Sequence, residues 1–100
     1  MNIRLECTCS AFPEQYWAYT DDIDGGDRIG YIRLRWGHLT CEYLVYGELD
    51  NDAILVYEHT FVGDEYKGEF DTEEERRDFL EKCKDALIEK HSKKGDKDGQ

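Results

Sequence analysis

The chain is poor in proline and has no long hydrophobic run. Its 100 residues include one proline, and no apolar stretch approaches the roughly 18 residues that a membrane-spanning helix needs. Residues 1–6 have neither the basic start nor the apolar stretch of a secretory signal. Internal repeats, linkers and Gly-rich phosphate-binding loops are also missing. These absences predict one cytoplasmic domain that does not enter a membrane.

The composition is that of a folded protein. Hydrophobic residues make up 39% of the chain and aromatic residues 13%, whereas disordered chains lack the aromatic residues needed to offset their ordering entropy. A chain of this length has room for one core. Since no apolar residue follows His91, we expect a single domain over residues 1–91 and a disordered polar tail over residues 92–100.

Hydrophobic periodicity predicts an α+β fold. A period of two and aromatic or β-branched runs indicate strands, and these strands cover residues 3–9, 16–20, 29–36, 39–46 and 53–61. Thr72 followed by Glu75 is typical of a helix N-terminus, and Cys83 and Leu87 lie on the apolar stripe of that helix. We predict an antiparallel sheet of four to five strands with one C-terminal helix packed on one face.

The central hairpin has the strongest pattern. Gly37 and His38 suit a two-residue type II′ turn, which would pair Trp36 with Leu39 and place Trp36 in the core under the helix. The same register would pair Arg33 with Glu42 on the opposite face.

The four cysteines are candidates for metal ligands or for a catalytic nucleophile. Cys7 and Cys9 would share one strand face, and His38 and Cys41 lie around the predicted turn, so thiolates and an imidazole could form a zinc site. Structural zinc sites usually use longer spacers within a turn, and we interpret Cys7, Cys9, Cys41 and Cys83 as reduced thiols that behave as small buried hydrophobes. No oxyanion or nucleophile motif surrounds them. We expect no enzyme activity and no cofactor.

The net charge of −11 is concentrated in one stretch. Residues 48–81 hold thirteen acids and three bases, and such a field repels anionic membrane and duplex nucleic acid and attracts basic proteins. The hypothesis is that carboxylates substitute for phosphates on a basic partner. The residues assigned to this partner-binding surface are Asp50, Asp52, Asp64, Glu65, Glu69, Asp71, Glu73, Glu74 and Asp78. The alternative is that the acidity only keeps the protein soluble.

A second hypothesis places an anionic nucleotide on the open sheet face. Arginine forks and aromatic planes are the groups that bind phosphate and base. The residues assigned to this ligand site are Tyr31, Arg33, Arg35, Tyr46 and Tyr57. The competing interpretation is that the arginines make weak cross-strand ion pairs, such as Arg33 with Glu42.

Three segments carry a resemblance: Gly30-Tyr31-Ile32-Arg33-Leu34-Arg35-Trp36-Gly37-His38-Leu39, Val56-Tyr57-Glu58, and the helix start Glu73-Glu74-Glu75-Arg76-Arg77-Asp78-Phe79-Leu80. Together they resemble small uncharacterised proteins of phages and mobile elements. Acidic proteins of that origin are similar in kind to counter-defence inhibitors, including anti-CRISPR proteins. The resemblance implies an inhibitor that binds a basic surface of a host defence or nucleic-acid-handling protein. A homodimer is left open.

Overall fold

A computed structural model describes residues 2–9, 13–20, 26–45 and 53–97 of the chain. These residues form five strands and one helix. The strands are β1 (Ile3–Cys9), β2 (Glu14–Thr20), β3 (Arg28–Arg35), β4 (His38–Tyr43) and β5 (Ile54–Thr60), and the helix is α1 (Glu73–Lys97). Within the described ranges, no helix is long and apolar enough to cross a membrane.

The five strands form one antiparallel sheet in the order β1-β2-β3-β4-β5, so that each strand pairs with its neighbours in sequence. Helix α1 packs back across β5, β4 and β3. The predicted α+β fold, with one C-terminal helix on one face of an antiparallel sheet, is confirmed.

The side chains of the helix-covered face form the core. Ile32, Leu34, Leu39 and Cys41 of the central strands are nearly or fully buried beneath the fully buried Cys83 and Leu87 of α1. Alternate residues of the same strands, together with those of β1 and β2, point to the other side of the sheet. This second side is called the open face below.

A glycine allows the helix to approach the sheet closely. A Cβ atom at Gly30 would lie 2.6 Å from Cδ1 of Leu87, which is inside van der Waals contact. The absence of a side chain at this position in β3 therefore lets Leu87 reach the backbone of the sheet, and the predicted core position of Leu87 is confirmed.

The predicted hairpin loop is wrong, because the observed loop lies one residue earlier in the chain. Leu34 pairs with Leu39 and Arg35 with His38, so the two loop residues are Trp36 and Gly37. Both have positive φ, 55° and 69°, which is the pattern of a type I′ turn. The strand pairing differs from the predicted one by two residues, and the β3 side chains from Tyr31 to Arg35 therefore keep their predicted faces.

Two residues predicted to be buried are not. Trp36 lies in the turn rather than in a strand, and 56% of its surface is exposed. Cys7 is exposed on the edge strand β1, which lies beyond the strands that α1 covers. The predicted burial of Cys83 is confirmed.

The start of α1 follows the prediction. The backbone N–H of Glu75 donates to Oγ1 of Thr72 at 3.0 Å, and the carboxylate of Glu75 accepts from the backbone N–H of Asp71 at 2.9 Å. Helical backbone continues to Lys97, six residues past the predicted domain boundary at residue 91.

Candidate functional site

A surface cavity lies on the open face at the β3–β4 turn. It has a volume of about 240 Å³ and is lined by Arg33, Arg35, Trp36, His38 and Thr40. The alternation of β3 directs both arginines to this face, and the turn adds an exposed indole. The cavity therefore combines two guanidinium groups with an aromatic plane.

The arginines of this cavity have no carboxylate partner within the described residues. Arg33 lies opposite Thr40, and not opposite Glu42 as the sequence predicted. The predicted Arg33–Glu42 ion pair is wrong because the turn is one residue earlier than expected. The Arg35 guanidinium lies 5.7 Å from the centre of the Trp36 ring, a distance typical of a cation–π contact.

Trp36 is held in an unfavourable backbone conformation. A bulky residue with positive φ is rare and strained, and such residues persist where surrounding structure imposes them. Here the segment after β5 imposes it. The Gly37 N–H donates to the carbonyl of Lys67 at 2.8 Å, the Phe61 N–H donates to the carbonyl of Gly37 at 2.8 Å, and the Trp36 ring meets Tyr66 edge-on at 6.3 Å.

The imidazole of His38 is positioned through both of its nitrogens. Nε2 lies 3.0 Å from Oε1 of Glu58, and Nδ1 lies 3.0 Å from Oγ1 of Thr60. Both partners lie on β5, opposite the β4 residues that border the cavity. The ring is thus fixed at the cavity wall.

The loop between β5 and α1, residues 61–72, is anchored by a buried lysine. Lys67 Nζ lies 2.9 Å from Asp71 and 3.0 Å from Glu75, and 4.0 Å from Asp64. Burial alone would lower the pKa of Lys67, but its hydrogen bonds to Asp71 and Glu75 raise this pKa above the ordinary value. Because the Lys67 carbonyl holds Gly37, this anchor also holds the turn that presents Trp36.

A second buried charge joins β2 to the helix. The carboxylate of Glu14, which is 1% exposed, accepts from Arg76 Nε at 2.6 Å and from the backbone N–H of Phe70 at 3.1 Å, and also from the Tyr16 hydroxyl. Burial would raise the pKa of Glu14, but the hydrogen bonds from Arg76, Tyr16 and Phe70 lower it overall. Arg76 also contacts Glu73.

These two networks use part of the predicted acidic surface. Asp64 and Asp71 pair with Lys67, Glu73 pairs with Arg76, and Asp78 lies 3.7 Å from Arg77. Among the residues of the predicted acidic surface that the structure describes, the exposed carboxylates without an ion pair or hydrogen bond are Glu65, Glu69 and Glu74. Asp50 and Asp52 lie outside the described residues.

The predicted nucleotide site is assembled only in part. Tyr31, Arg33 and Arg35 do share the open face, although Tyr31 is buried there. Tyr57 pairs with Cys41 and packs against the core, so its assignment to the open face is wrong. Both parities of β5 carry apolar residues, so alternation alone does not assign the faces of this strand. Tyr46 lies outside the described residues.

The sequence prediction missed Trp36, His38 and Thr40 as cavity residues. Trp36 looked like a core residue because it continues the apolar alternation of β3. Moving the loop to Trp36-Gly37 pairs Leu34 with Leu39 equally well, and this second register was the signal that could have identified an exposed Trp36.

The residues of the zinc hypothesis are not brought together. His38 and Cys41 lie on opposite faces of β4, and Cys7 lies three strands from Cys41, which corresponds to about 14 Å. Contact with Cys83 and burial raise the pKa of the Cys41 thiol, which disfavours the thiolate that a metal or nucleophile needs. No cluster of three or more metal-ligating side chains occurs in the part of the chain that the structure describes.

Neither a family model, nor a curated protein, nor a solved structure matches the chain. Its function is therefore argued from the residues of the site.

Proposed function

We propose that the protein is a non-enzymatic binding module that takes up an anionic nucleotide in the cavity at the β3–β4 turn. The observation that supports this most directly is the pairing state of Arg33 and Arg35. Both line the cavity, and neither has a carboxylate partner among the described residues. In a chain with 24 acidic residues, two adjacent arginines without such partners are suited to an external anion.

The cavity groups match the two parts of a nucleotide. Guanidinium groups bind phosphate through paired N–H donors, and the exposed indole of Trp36 offers a plane on which a base can stack. The hydroxyl of Thr40 adds a polar contact at the wall, and the imidazole of His38, whose two nitrogens contact Glu58 and Thr60, adds a fixed ring. A nucleoside monophosphate or diphosphate is the ligand class that uses all of these groups.

The strained turn supports the same conclusion. Backbone strain in a folded protein is concentrated where function needs a side chain in a particular place. An asparagine would satisfy this turn at lower backbone cost, so an exposed tryptophan with φ of 55° favours a role for its side chain in binding.

A thermal-shift screen of linear and cyclic nucleotides tests the proposal. A ligand at a hundredfold excess over its dissociation constant adds about 2.7 kcal/mol to the free energy of unfolding. We expect at least one nucleotide to raise the melting temperature of the wild-type protein and to lose this effect in Arg33→Ala and Arg35→Ala.

The matched control is Arg77→Ala. Arg77 is an exposed arginine on α1, away from the β3–β4 turn, and its replacement changes the net charge by the same amount. A nucleotide shift that Arg77→Ala lowers as much as Arg33→Ala does would mean that only overall charge matters, and the cavity assignment would be wrong.

A second candidate function is an inhibitor of phage or mobile-element type that binds a basic surface of a host defence or nucleic-acid-handling protein. The observation that favours it is the group of exposed carboxylates left without partners after Lys67 and Arg76 are satisfied. Glu65, Glu69 and Glu74 could act as phosphate substitutes on such a surface.

Pull-downs from a bacterial lysate at low and high salt test this candidate, because charge-driven association weakens as salt rises. We expect a basic protein to be retained at low salt and lost from the triple variant Glu65→Gln, Glu69→Gln, Glu74→Gln. This function would be excluded if the triple variant retained that protein, or if the wild-type protein retained no basic protein at all.

A further inference from the structure

Beside the cavity, the open face presents a second cluster that the proposed function does not use. We call it the Arg–aromatic patch, and it consists of Arg4 on β1, Trp17 and Tyr19 on β2, and Arg28 and Tyr31 on β3. The pairs Arg4 with Tyr19 and Trp17 with Tyr31 lie directly opposite each other on neighbouring strands. The patch therefore extends over three strands.

Guanidinium groups and rings alternate across this patch. The Arg28 guanidinium lies 4.3 Å from the centre of the Trp17 ring and 5.8 Å from that of Tyr19, and the Arg4 guanidinium lies 4.6 Å from the Tyr19 ring. The Trp17 and Tyr31 rings are 4.9 Å apart. A register shift between Ala18 and Tyr19 accompanies the placement of Arg28 over these rings.

The patch and the cavity are continuous along β3. Tyr31 and Arg33 are alternate residues of the strand, about 7 Å apart on the same face. From Arg28 to Arg35 the strand runs about 24 Å, and Arg28, Arg33 and Arg35 all lack a carboxylate partner within the described part of the chain. This face thus offers cationic groups at both ends of β3, with the partly buried rings of Trp17 and Tyr19 beside Arg28 and the buried ring of Tyr31 beneath them.

We infer that this surface is a track for single-stranded nucleic acid, in which the cavity takes one nucleotide and the Arg–aromatic patch takes its neighbours; this inference rests on the proposed function. A single strand alternates phosphates with unpaired base planes, and aromatic and guanidinium planes stack on such bases. An acidic peptide would use the arginines but would leave the rings without a matching group. A duplex hides its base planes within the stack.

Carboxylates on the same face limit the strength of the interaction. Glu6 and Glu42 lie opposite Trp17 and Tyr31 respectively, and Glu58 contacts His38. The net charge of −11 also opposes the approach of a polyanion. Binding therefore depends on stacking as much as on charge, and it should fall less steeply with salt than binding by a basic protein does.

Fluorescence anisotropy with end-labelled single-stranded DNA of two, four and eight nucleotides tests the inference on the full chain. We expect the affinity to rise by about tenfold or more from the shortest to the longest strand, because each added contact is intramolecular. Arg28→Gln and Arg4→Gln should each reduce that gain, while the thermal shift caused by a mononucleotide stays as in the wild type. Arg77→Gln is the control of equal charge.

The outcomes separate this inference from the proposed function. The track would be overturned, and the cavity function left intact, if a mononucleotide raised the melting temperature in a way that depends on Arg33 but all three strand lengths bound with equal affinity. An absence of binding by both mononucleotides and oligonucleotides would overturn both. Length-dependent binding that polyglutamate displaces as well as DNA does would reassign the face to an acidic protein partner and overturn the track.

Discussion

On the helix-covered side of the sheet, Glu14 and Lys67 are buried and each has partners at hydrogen-bond distance. On the open face, Arg28 and Arg35 lie beside aromatic rings, and neither these two arginines nor Arg33 has a carboxylate partner among the described residues. Burial makes an unpaired charge very costly, whereas a solvated arginine can remain unpaired at little cost. The first set of charges therefore serves the fold, whereas the second set is the one that we propose binds a ligand.

The two regions are also mechanically connected. Lys67 is anchored by Asp71 and Glu75, and its carbonyl holds Gly37 of the β3–β4 turn. The buried network on one side therefore fixes the turn that presents Trp36 on the other. Substitutions in the two regions should therefore separate the structural role of the first from the proposed binding role of the second.

The largest effect is expected from removing the buried carboxylate. Glu14→Ala leaves Arg76 Nε, the Tyr16 hydroxyl and the Phe70 N–H without their acceptor, while Arg76 keeps its contact with Glu73. Loss of a buried carboxylate that accepts several hydrogen bonds costs roughly 3 to 5 kcal/mol. Urea denaturation measures this loss. The control is Glu69→Ala at an exposed carboxylate, which we expect to change stability by less than about 0.5 kcal/mol. Equal effects at both positions would contradict the structural role of Glu14.

Leu87→Ala is expected to destabilise the protein by roughly 3 kcal/mol, because it opens a cavity where Leu87 contacts Gly30. Chemical denaturation followed by tryptophan fluorescence measures the change. Val62→Ala removes an apolar side chain that is 95% exposed, and its effect should be close to zero. A loss below about 1 kcal/mol for Leu87→Ala would show that the helix does not cover this face.

Acid should weaken the helix-covered side. The pKa of Glu14 is lower in the folded than in the unfolded protein, so its contribution to stability is present above about pH 4.3, the ordinary glutamate pKa, and is lost as the pH falls through the lower folded value. Urea midpoints at neutral and acidic pH measure this loss. Glu14→Gln has no titrating group at this position, so the difference in free energy of unfolding between this variant and the wild type should shrink as the pH falls. A difference that stays constant with pH would contradict the assignment.

The smallest effect on stability, and of opposite sign, is expected at the turn. Trp36→Asn should raise the free energy of unfolding by about 1 kcal/mol, since asparagine tolerates positive φ in a type I′ turn, while it removes the ring that would stack on a base. Thermal melts with and without nucleotide measure both effects. Trp36→Phe keeps the strain and a ring, and it should retain part of the nucleotide shift. If Trp36→Asn bound nucleotide as the wild type does, Trp36 would not be part of the binding site.

The fold could be predicted well because alternation and capping are local signals. The helix start at Thr72, the core position of Leu87 and the open-face positions of Arg33 and Arg35 all follow from period and spacing. The candidate site could be predicted less well. Tyr57 was assigned to the wrong face because both parities of β5 carry apolar residues, so alternation does not identify the core face, and only the pairing of Tyr57 with Cys41 decides it.

By itself, the amino-acid sequence determined the elements, their antiparallel pairing and the faces of the β3 side chains from Tyr31 to Arg35, because a two-residue change of register leaves the alternation intact. Only the tertiary structure decided that Trp36 is in the turn, that Lys67 holds this turn, and which charges have partners. Those outcomes depend on contacts between residues far apart in the chain, such as Glu14 with Arg76. Local pattern cannot report such contacts, since each requires the whole sheet and helix to be in place.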